Sequence, residues 1–191
     1  MSRRAFIAIC LVLTAVLAAS QLPKLGGAVE ELTLPLNHAS VIRQQAEAKG
    51  LDPTLIAAVI YAETKFVPRP SSAGAQGLMQ LLPSTALFIA RKSGGTAFVP
   101  NDLGDPEVNI RYGSWYLRYL LQRYGGNELE AVAAYNAGMG NVDKWVASAN
   151  AQGHQFGTDD IQFPETRAYV DRVLQAKRDY RDKYASELGV N

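Results

Sequence analysis

Apolar positions in this chain come in blocks set off by glycine, proline and capping residues. No block alternates apolar with polar in the manner of a half-buried strand. Arg3 and Arg4 lead into an uncharged, mostly apolar run from Ala5 to Ala19, which ends in the small residues Ala18, Ala19 and Ser20. Gln21 to Asn37 follows with Pro23, Gly26, Gly27 and Pro35 and little periodicity, the pattern of a tether. From His38 onward the punctuation is helical. Gly50 ends one segment, Asp52-Pro53 opens the next as N-cap and first helical residue, Asp105-Pro106 repeats the device, and Gly125-Gly126 ends the long segment it opens. Pro164 starts a final helix through Tyr180 and beyond, whose Arg- and Lys-rich end suits the negative end of a helix dipole. The pattern predicts an all-α fold with little or no sheet, a single compact domain of about seven or eight helices. Gln152 to Gln162, polar and glycine-containing, is the segment expected to be mobile.

The first block bears on where the chain works. A basic start, an apolar run and small residues at its end make a secretory signal. Cleavage is expected after Ser20, so that 1–20 is signal, 21–37 linker and 38–191 the working domain. The run is shorter than the roughly 20 residues a spanning helix needs, which ranks an uncleaved inner-membrane anchor second. The expected location is therefore the periplasm or cell envelope. Cys10, the single cysteine, follows Ile9 rather than a small residue and does not read as a lipid-attachment site; the chain beyond it has no thiol for a disulfide. With His38 and His154 as the remaining soft ligands, no metal and no cofactor is expected. Nineteen basic against eighteen acidic residues give a net charge of +1, and subtracting Arg3 and Arg4 leaves −1. Neither balance suits a nucleic-acid binder. Of 191 residues 48% are hydrophobic, enough for one core and not comfortably for two. Nothing in the pattern asks for an oligomer, so a monomer is expected.

Candidate chemistry begins with a carboxylate in an apolar place. On the helix opened at Pro53, at ~100° per residue, Leu55, Ile56, Val59, Ile60 and Phe66 occupy an arc of roughly 140°. Glu63 falls within that arc, near ~80°, while Thr64 and Lys65 lie outside it. A carboxylate among apolar neighbours loses hydration, its charged form is disfavoured, and its pKa rises towards the range of a general acid. Glycosidic cleavage needs such a group. A structural ion pair with a buried Arg, or a side chain snorkelling outward, is the competing reading of the same pattern.

Four separated stretches break the tie. Glu63-Thr64-Lys65-Phe66 is similar to the Glu-Ser-x-Phe of the lytic transglycosylases, with Thr64 keeping the hydroxyl of the usual Ser. Gly74-Ala75-Gln76-Gly77-Leu78-Met79-Gln80-Leu81, followed by Pro83, Thr85 and Ala86, resembles that family's glycine loop. Asn109-Ile110, Gly113 and Tyr116-Leu117 join Ala134-Tyr135-Asn136-Ala137-Gly138, then Gly140, Val142 and Trp145. Pro164-Glu165-Thr166-Arg167-Ala168-Tyr169-Val170 is similar to the segment that closes the family's site. Taken in this order, from about Gly50 to Leu174, they resemble the soluble lytic transglycosylase (SLT) family 1 catalytic domain, whose fold is lysozyme-like with a substrate groove.

That resemblance implies that Glu63 is both acid and base. It would protonate the glycosidic oxygen between N-acetylmuramic acid and N-acetylglucosamine, then take the proton of the muramic C6 hydroxyl as that hydroxyl closes a 1,6-anhydro ring. One carboxylate suffices in the family because the substrate's own N-acetyl group supports the developing positive charge, whereas most glycosidases need two. Ser71 matches the family's substrate-contacting Ser, with Ser72 the alternative, because the loop after Glu63 is about one residue short. Met79, Gln80 and Ser71 would line sugar subsites, although Met79 reads equally as core filling. Tyr135 would hydrogen-bond near Glu63 or the acetamido group. Glu165 reads as a stem-peptide contact or an N-terminal helix charge, and Tyr169 as a sugar platform or core. Thr64 supports Glu63, and Asn136 caps the turn allowed by Gly138 and Gly140. Trp115 and Trp145 read as core anchors before sugar-stacking faces. The implied partner is the peptidoglycan glycan strand, with the enzyme acting alone or as the wall-opening part of an envelope-spanning secretion, conjugation or pilus complex. A hydrolytic lysozyme of the same fold and a wall-binding module without catalysis are the competing functions.

Overall fold

The computed structural model describes residues 34–68, 71–95 and 98–190; the apolar run with Cys10 and the tether up to residue 33 lie outside them. Five of the seven described α-helices start where a capping side chain or a proline makes the start a local event. α1 spans Ala39–Lys49 and is closed by Gly50 in the left-handed region (φ 60°), a conformation that costs glycine little. α2 spans Pro53–Thr64, with the Asp52 carboxylate accepting the Thr54 N–H at 2.9 Å. α3 (Pro83–Ser93) opens on its proline. A short 3₁₀ turn, Pro100–Gly104, leads into α4 (Pro106–Arg123), whose N-cap Asp105 accepts the N–H groups of Glu107 and Val108. α5 (Glu128–Ala137) is capped by Asn127, and α6 (Met139–Ala151) follows directly after Gly138. A second 3₁₀ turn, Thr158–Asp160, precedes α7 (Pro164–Leu188), which departs from helical geometry at Tyr184. Among the described residues there is no strand, only an isolated bridge between Gln76 and Leu81.

All of these helices fall in one unit, Asn37–Asn191, with α2 at its centre. α2 packs most extensively on α7 and also on α1, and Leu55 to Ile60 are all buried. A helix apolar all round is a core helix, not an amphipathic one, which revises the one-sided arc expected from the sequence. Thr64, placed outside that arc, is only 4% exposed. Phe66 does not share the helix at all, because α2 stops at Thr64 and both Lys65 (φ 51°) and Phe66 (φ 62°) adopt the left-handed conformation. The sharp exit carries Phe66 into the core beside Tyr180, ring centres 6.2 Å apart. It also leaves Glu63 in the last turn of a buried helix, where the chain turns away and a groove can open.

The N-terminal end of α2 is anchored as firmly. Asp52 pairs with Arg181 and with Lys177 (3.4 Å), and Lys177 reaches Glu128 of α5 at 2.6 Å. Gln152 to Gln162, expected to be mobile, is tied down. Phe156 and Ile161 are buried, the His154 ring meets Asp160 at 2.9 Å, and Arg167 donates to the Ile161 carbonyl at 2.9 Å. Polar composition hid two apolar anchors in that loop.

Candidate active site

A groove of about 460 Å³ opens beside the end of α2. Glu63 lies in it, with Ser71 and Gln80 from the loop after α2, Tyr116 from α4, Tyr135 and Asn136 from α5, and Glu165 from α7. Leu82 and Thr85, at the start of α3, also line it. Three residues expected at the site stand behind this wall: Thr64, Met79 and Tyr169.

The floor is the loop Gly74 to Leu81, which has almost no regular structure and is held by side chains from three helices. The Thr64 hydroxyl of α2 donates to the Leu78 carbonyl at 2.8 Å. Asn109 of α4, wholly buried, accepts the Met79 N–H at 2.7 Å and donates to the carbonyls of Gln76 (3.0 Å) and Leu103 (3.1 Å). The Tyr135 hydroxyl of α5 donates to the Met79 carbonyl at 2.9 Å. Two glycines make this approach possible. A Cβ at Gly77, where φ is 74°, would sit 2.0 Å from Asn109 Nδ2, and one at Gly113 would sit 2.3 Å from the Met79 sulfur. Within the loop the Ala75 N–H donates to Ser71 Oγ at 2.8 Å, and Gln80, itself left-handed at φ 47°, donates from Nε2 to the Gly77 carbonyl at 2.9 Å. The sequence motif named Asn109 without revealing its task. A buried Asn before an apolar Ile on a helix was the available signal, since such an amide needs backbone partners.

Burial pushes the Glu63 carboxyl up to about 7, against the opposing pull of the Tyr169 hydroxyl and the Arg172 guanidinium. Tyr169 is 3% exposed, so it offers no face to a sugar. Its buried hydroxyl makes no hydrogen bond of regular geometry, yet it lies beside the Glu63 carboxyl and favours its charged form. Tyr135 also lies near Glu63, and burial together with that carboxylate holds its phenol well above the ordinary tyrosine range. Tyr135 therefore stays a donor to Met79, with its oxygen lone pairs left for the groove. Met79 is 0% exposed and packs on Gly113; what it contributes to the floor is its backbone. Asn136 lies on the groove and accepts the Thr166 hydroxyl at 2.7 Å, tying α5 to α7 instead of capping its own turn. Glu165 is exposed in the first turn of α7. Trp145 is a core residue, edge-on to Phe163 at 5.0 Å. Among the described residues no cluster of metal-ligating side chains occurs.

The arrangement can therefore hold a proton near neutral pH on a carboxyl facing open space, over a floor fixed from three sides. The fold and groove define a helical, lysozyme-like domain. The family described as Transglycosylase SLT domain matches residues 40–156, more than half of the chain, and the chain belongs to that family. The Soluble lytic murein transglycosylase of Escherichia coli (strain K12) is 34% identical over 154 residues, covering 79% of this chain and 24% of the relative. Among solved structures, the 70 kDa soluble lytic transglycosylase of Escherichia coli gives a TM-score of 0.76 at 31% identity, covering 84% of this chain and 27% of that one. An inactive Glu-to-Gln mutant of lytic transglycosylase Slt from Pseudomonas aeruginosa gives 0.73 at 34% identity, covering 80% and 25%. This chain spans about a quarter of the length of these relatives.

Proposed function

We propose that this chain cleaves the β-1,4 bond between N-acetylmuramic acid and N-acetylglucosamine in peptidoglycan without consuming water, leaving 1,6-anhydromuramic ends. The observation that carries the reading is Glu63: one carboxyl on the groove wall, raised by burial to about 7, the range in which a single group can give up a proton and take one back. In the first step the Glu63 proton passes to the glycosidic oxygen and the bond to the muramic anomeric carbon breaks, with the neighbouring N-acetyl group supporting the positive charge. In the second step the muramic C6 oxygen bonds to that carbon and its proton returns to Glu63. The nucleophile belongs to the substrate, so its effective concentration is high. Ser71, Gln80, Asn136 and Tyr135 are the groups on hand to orient sugars, and Glu165 at the rim is placed for the peptide stem. The setting we infer is the cell envelope after export and removal of residues 1–20, where the enzyme opens the wall locally, alone or for a secretion, conjugation or pilus machine.

Mass spectrometry of fragments released from purified peptidoglycan by residues 21–191 tests this. The expected fragments are one water lighter than reducing ends, and Glu63→Gln should abolish their release while leaving glycan binding largely intact. The Pseudomonas relative, inactive as a Glu-to-Gln mutant, supports that expectation. Reducing ends instead would make the chain a lysozyme with Glu165, the other acid on the described groove wall, as its second carboxylate. Unchanged cleavage by the Gln variant would remove Glu63 from the chemistry.

A further inference from the structure

The groove occupies one end of α3, and a second cavity occupies the other. Leu82 and Thr85 face the groove, whereas Ile89 and Ser93 face a separate hollow of about 520 Å³. The eight-residue step from Thr85 to Ser93 spans about 12 Å of helix. On α4 the division is the same: Tyr116 lines the groove, while Arg111, Tyr112 and Trp115 line the hollow.

The chemistry of this hollow is not that of the groove. Lys49, at the end of α1, and Arg111 bring two cations to it. Among the described residues the Arg111 side chain makes no hydrogen bond or ion pair; its guanidinium carbon lies 5.9 Å from the Tyr112 ring centre. Lys49 donates to the Gln45 side-chain oxygen and meets no carboxylate among the described residues. Burial, and after it the Arg111 charge, holds Lys49 below the ordinary lysine range. Asp102, the acid on the described wall, accepts the Val99 N–H at 3.0 Å. Two neighbouring cations that form no ion pair among the described residues, against the single carboxylate of Asp102 on the described wall, leave the hollow with excess positive charge that attracts an anion, and the planar Arg fork fits a carboxylate. Phe98 stacks on Tyr112 at 4.5 Å, and Trp115 on Tyr119 at 5.6 Å, giving the hollow aromatic walls with both apolar and polar edges.

We propose that this cavity is a second, non-catalytic site for carboxylate-bearing fragments of peptidoglycan, in which Lys49 and Arg111 hold the carboxylate and Trp115 lies against the attached sugar. The proposal rests on peptidoglycan being the substrate of the groove. A strand gripped at both ends of α3 would stay near Glu63 between cleavage events, because the second contact is intramolecular.

The test uses the full chain carrying Glu63→Gln, so that nothing is cut, and follows the indole N–H resonance of Trp115. The probes are N-acetylmuramyl-L-alanyl-D-isoglutamine, N-acetylmuramic acid, neutral di-N-acetylchitobiose and a sugar-free tetraglutamate peptide. Muramyl dipeptide should shift Trp115, and Lys49→Gln with Arg111→Gln should weaken its binding tenfold or more. Lys49→Arg with Arg111→Lys, which keeps both charges, should restore it. The lactyl carboxyl is amide-linked in the dipeptide, so an equal shift by N-acetylmuramic acid would mean that the site accepts either carboxylate; a shift by the dipeptide alone would assign the peptide's. The proposal fails if neither carboxylated fragment moves Trp115, if chitobiose moves it as much, or if tetraglutamate binds as tightly as the dipeptide, which would make the hollow a site for an acidic protein segment. Product analysis of the unmutated chain keeps the two readings apart. Anhydromuramic ends without a Trp115 shift overturn the second site alone, and a Trp115 shift without cleavage overturns only the chemistry assigned to the groove.

Discussion

Glu63 is poised by opposed neighbours. Burial in the last turn of α2 favours its neutral form, while Tyr169 and Arg172 favour the anion. Glu165, Tyr169 and Arg172 stand four and three residues apart on α7, so one helix stripe delivers the rim acid, the buried phenol and the cation. Tyr135 of α5 and Tyr116 of α4 complete the surroundings, both with phenols held neutral by burial. Arg172 lies on the Tyr169 ring, 5.9 Å from its centre. It is a positioning residue, acting on Glu63 through charge and through Tyr169. Replacing it with Gln removes the pull towards the anion, so Glu63 should hold its proton to higher pH. The alkaline limb of kcat/KM for glycan cleavage should move up by roughly half a pH unit or more, and Arg172→Lys should restore it. An unchanged profile with a lowered rate would reduce Arg172 to a structural part.

The element that makes the site is not a helix but the loop that three helices hold. Asn109 carries half of that load, accepting from Met79 and donating to Gln76, and its third bond, donated to Leu103, anchors it to the 3₁₀ turn before α4. Asn109→Ala would leave the Met79 N–H and the Leu103 carbonyl buried without these partners, while the Gln76 carbonyl keeps the Leu81 N–H, and should cost about 3 kcal/mol in urea unfolding. Helical content should survive while cleavage is lost. Asn109→Asp, nearly the same shape, should fare no better, because its carboxylate faces the Gln76 and Leu103 carbonyls. Much of this architecture was legible in advance wherever its cause is local. Asp52-Pro53, Asp105-Pro106 and Pro164 each start a helix because the cap and the proline act within one turn. Glu63 was legible from its apolar setting and the motif around it. The end of α2 was not, because the left-handed turn at Lys65 and Phe66 is stabilised by Tyr180, far along the chain. Nor was the burial of Met79 and Tyr169, since a side chain pattern does not say which of two apolar walls faces the solvent.

For the whole molecule, the acid is a liability that the fold carries. The folded pKa of Glu63, about 7, lies above the ordinary 4.5, so between those values the folded chain keeps a proton the unfolded chain has released. The penalty is absent below pH 4.5 and grows as pH rises through the folded value, reaching about 3 kcal/mol above it. Glu63→Gln should therefore unfold at higher temperature than the native chain at pH 8, with the difference vanishing near pH 4; equal melting at both would mean the carboxyl is better solvated than its surroundings suggest. The loop has another consequence, for timing. Its ties to the three helices close over 14, 30, 33 and 56 residues of sequence, and the Tyr169 beside Glu63 arrives later still. Contacts that distant form after local helices, so a chain emerging from synthesis has α2 and its acid long before it has a working site. If the groove cleaves peptidoglycan as proposed, the chain gains a built-in delay: it is inert until the last helix has docked.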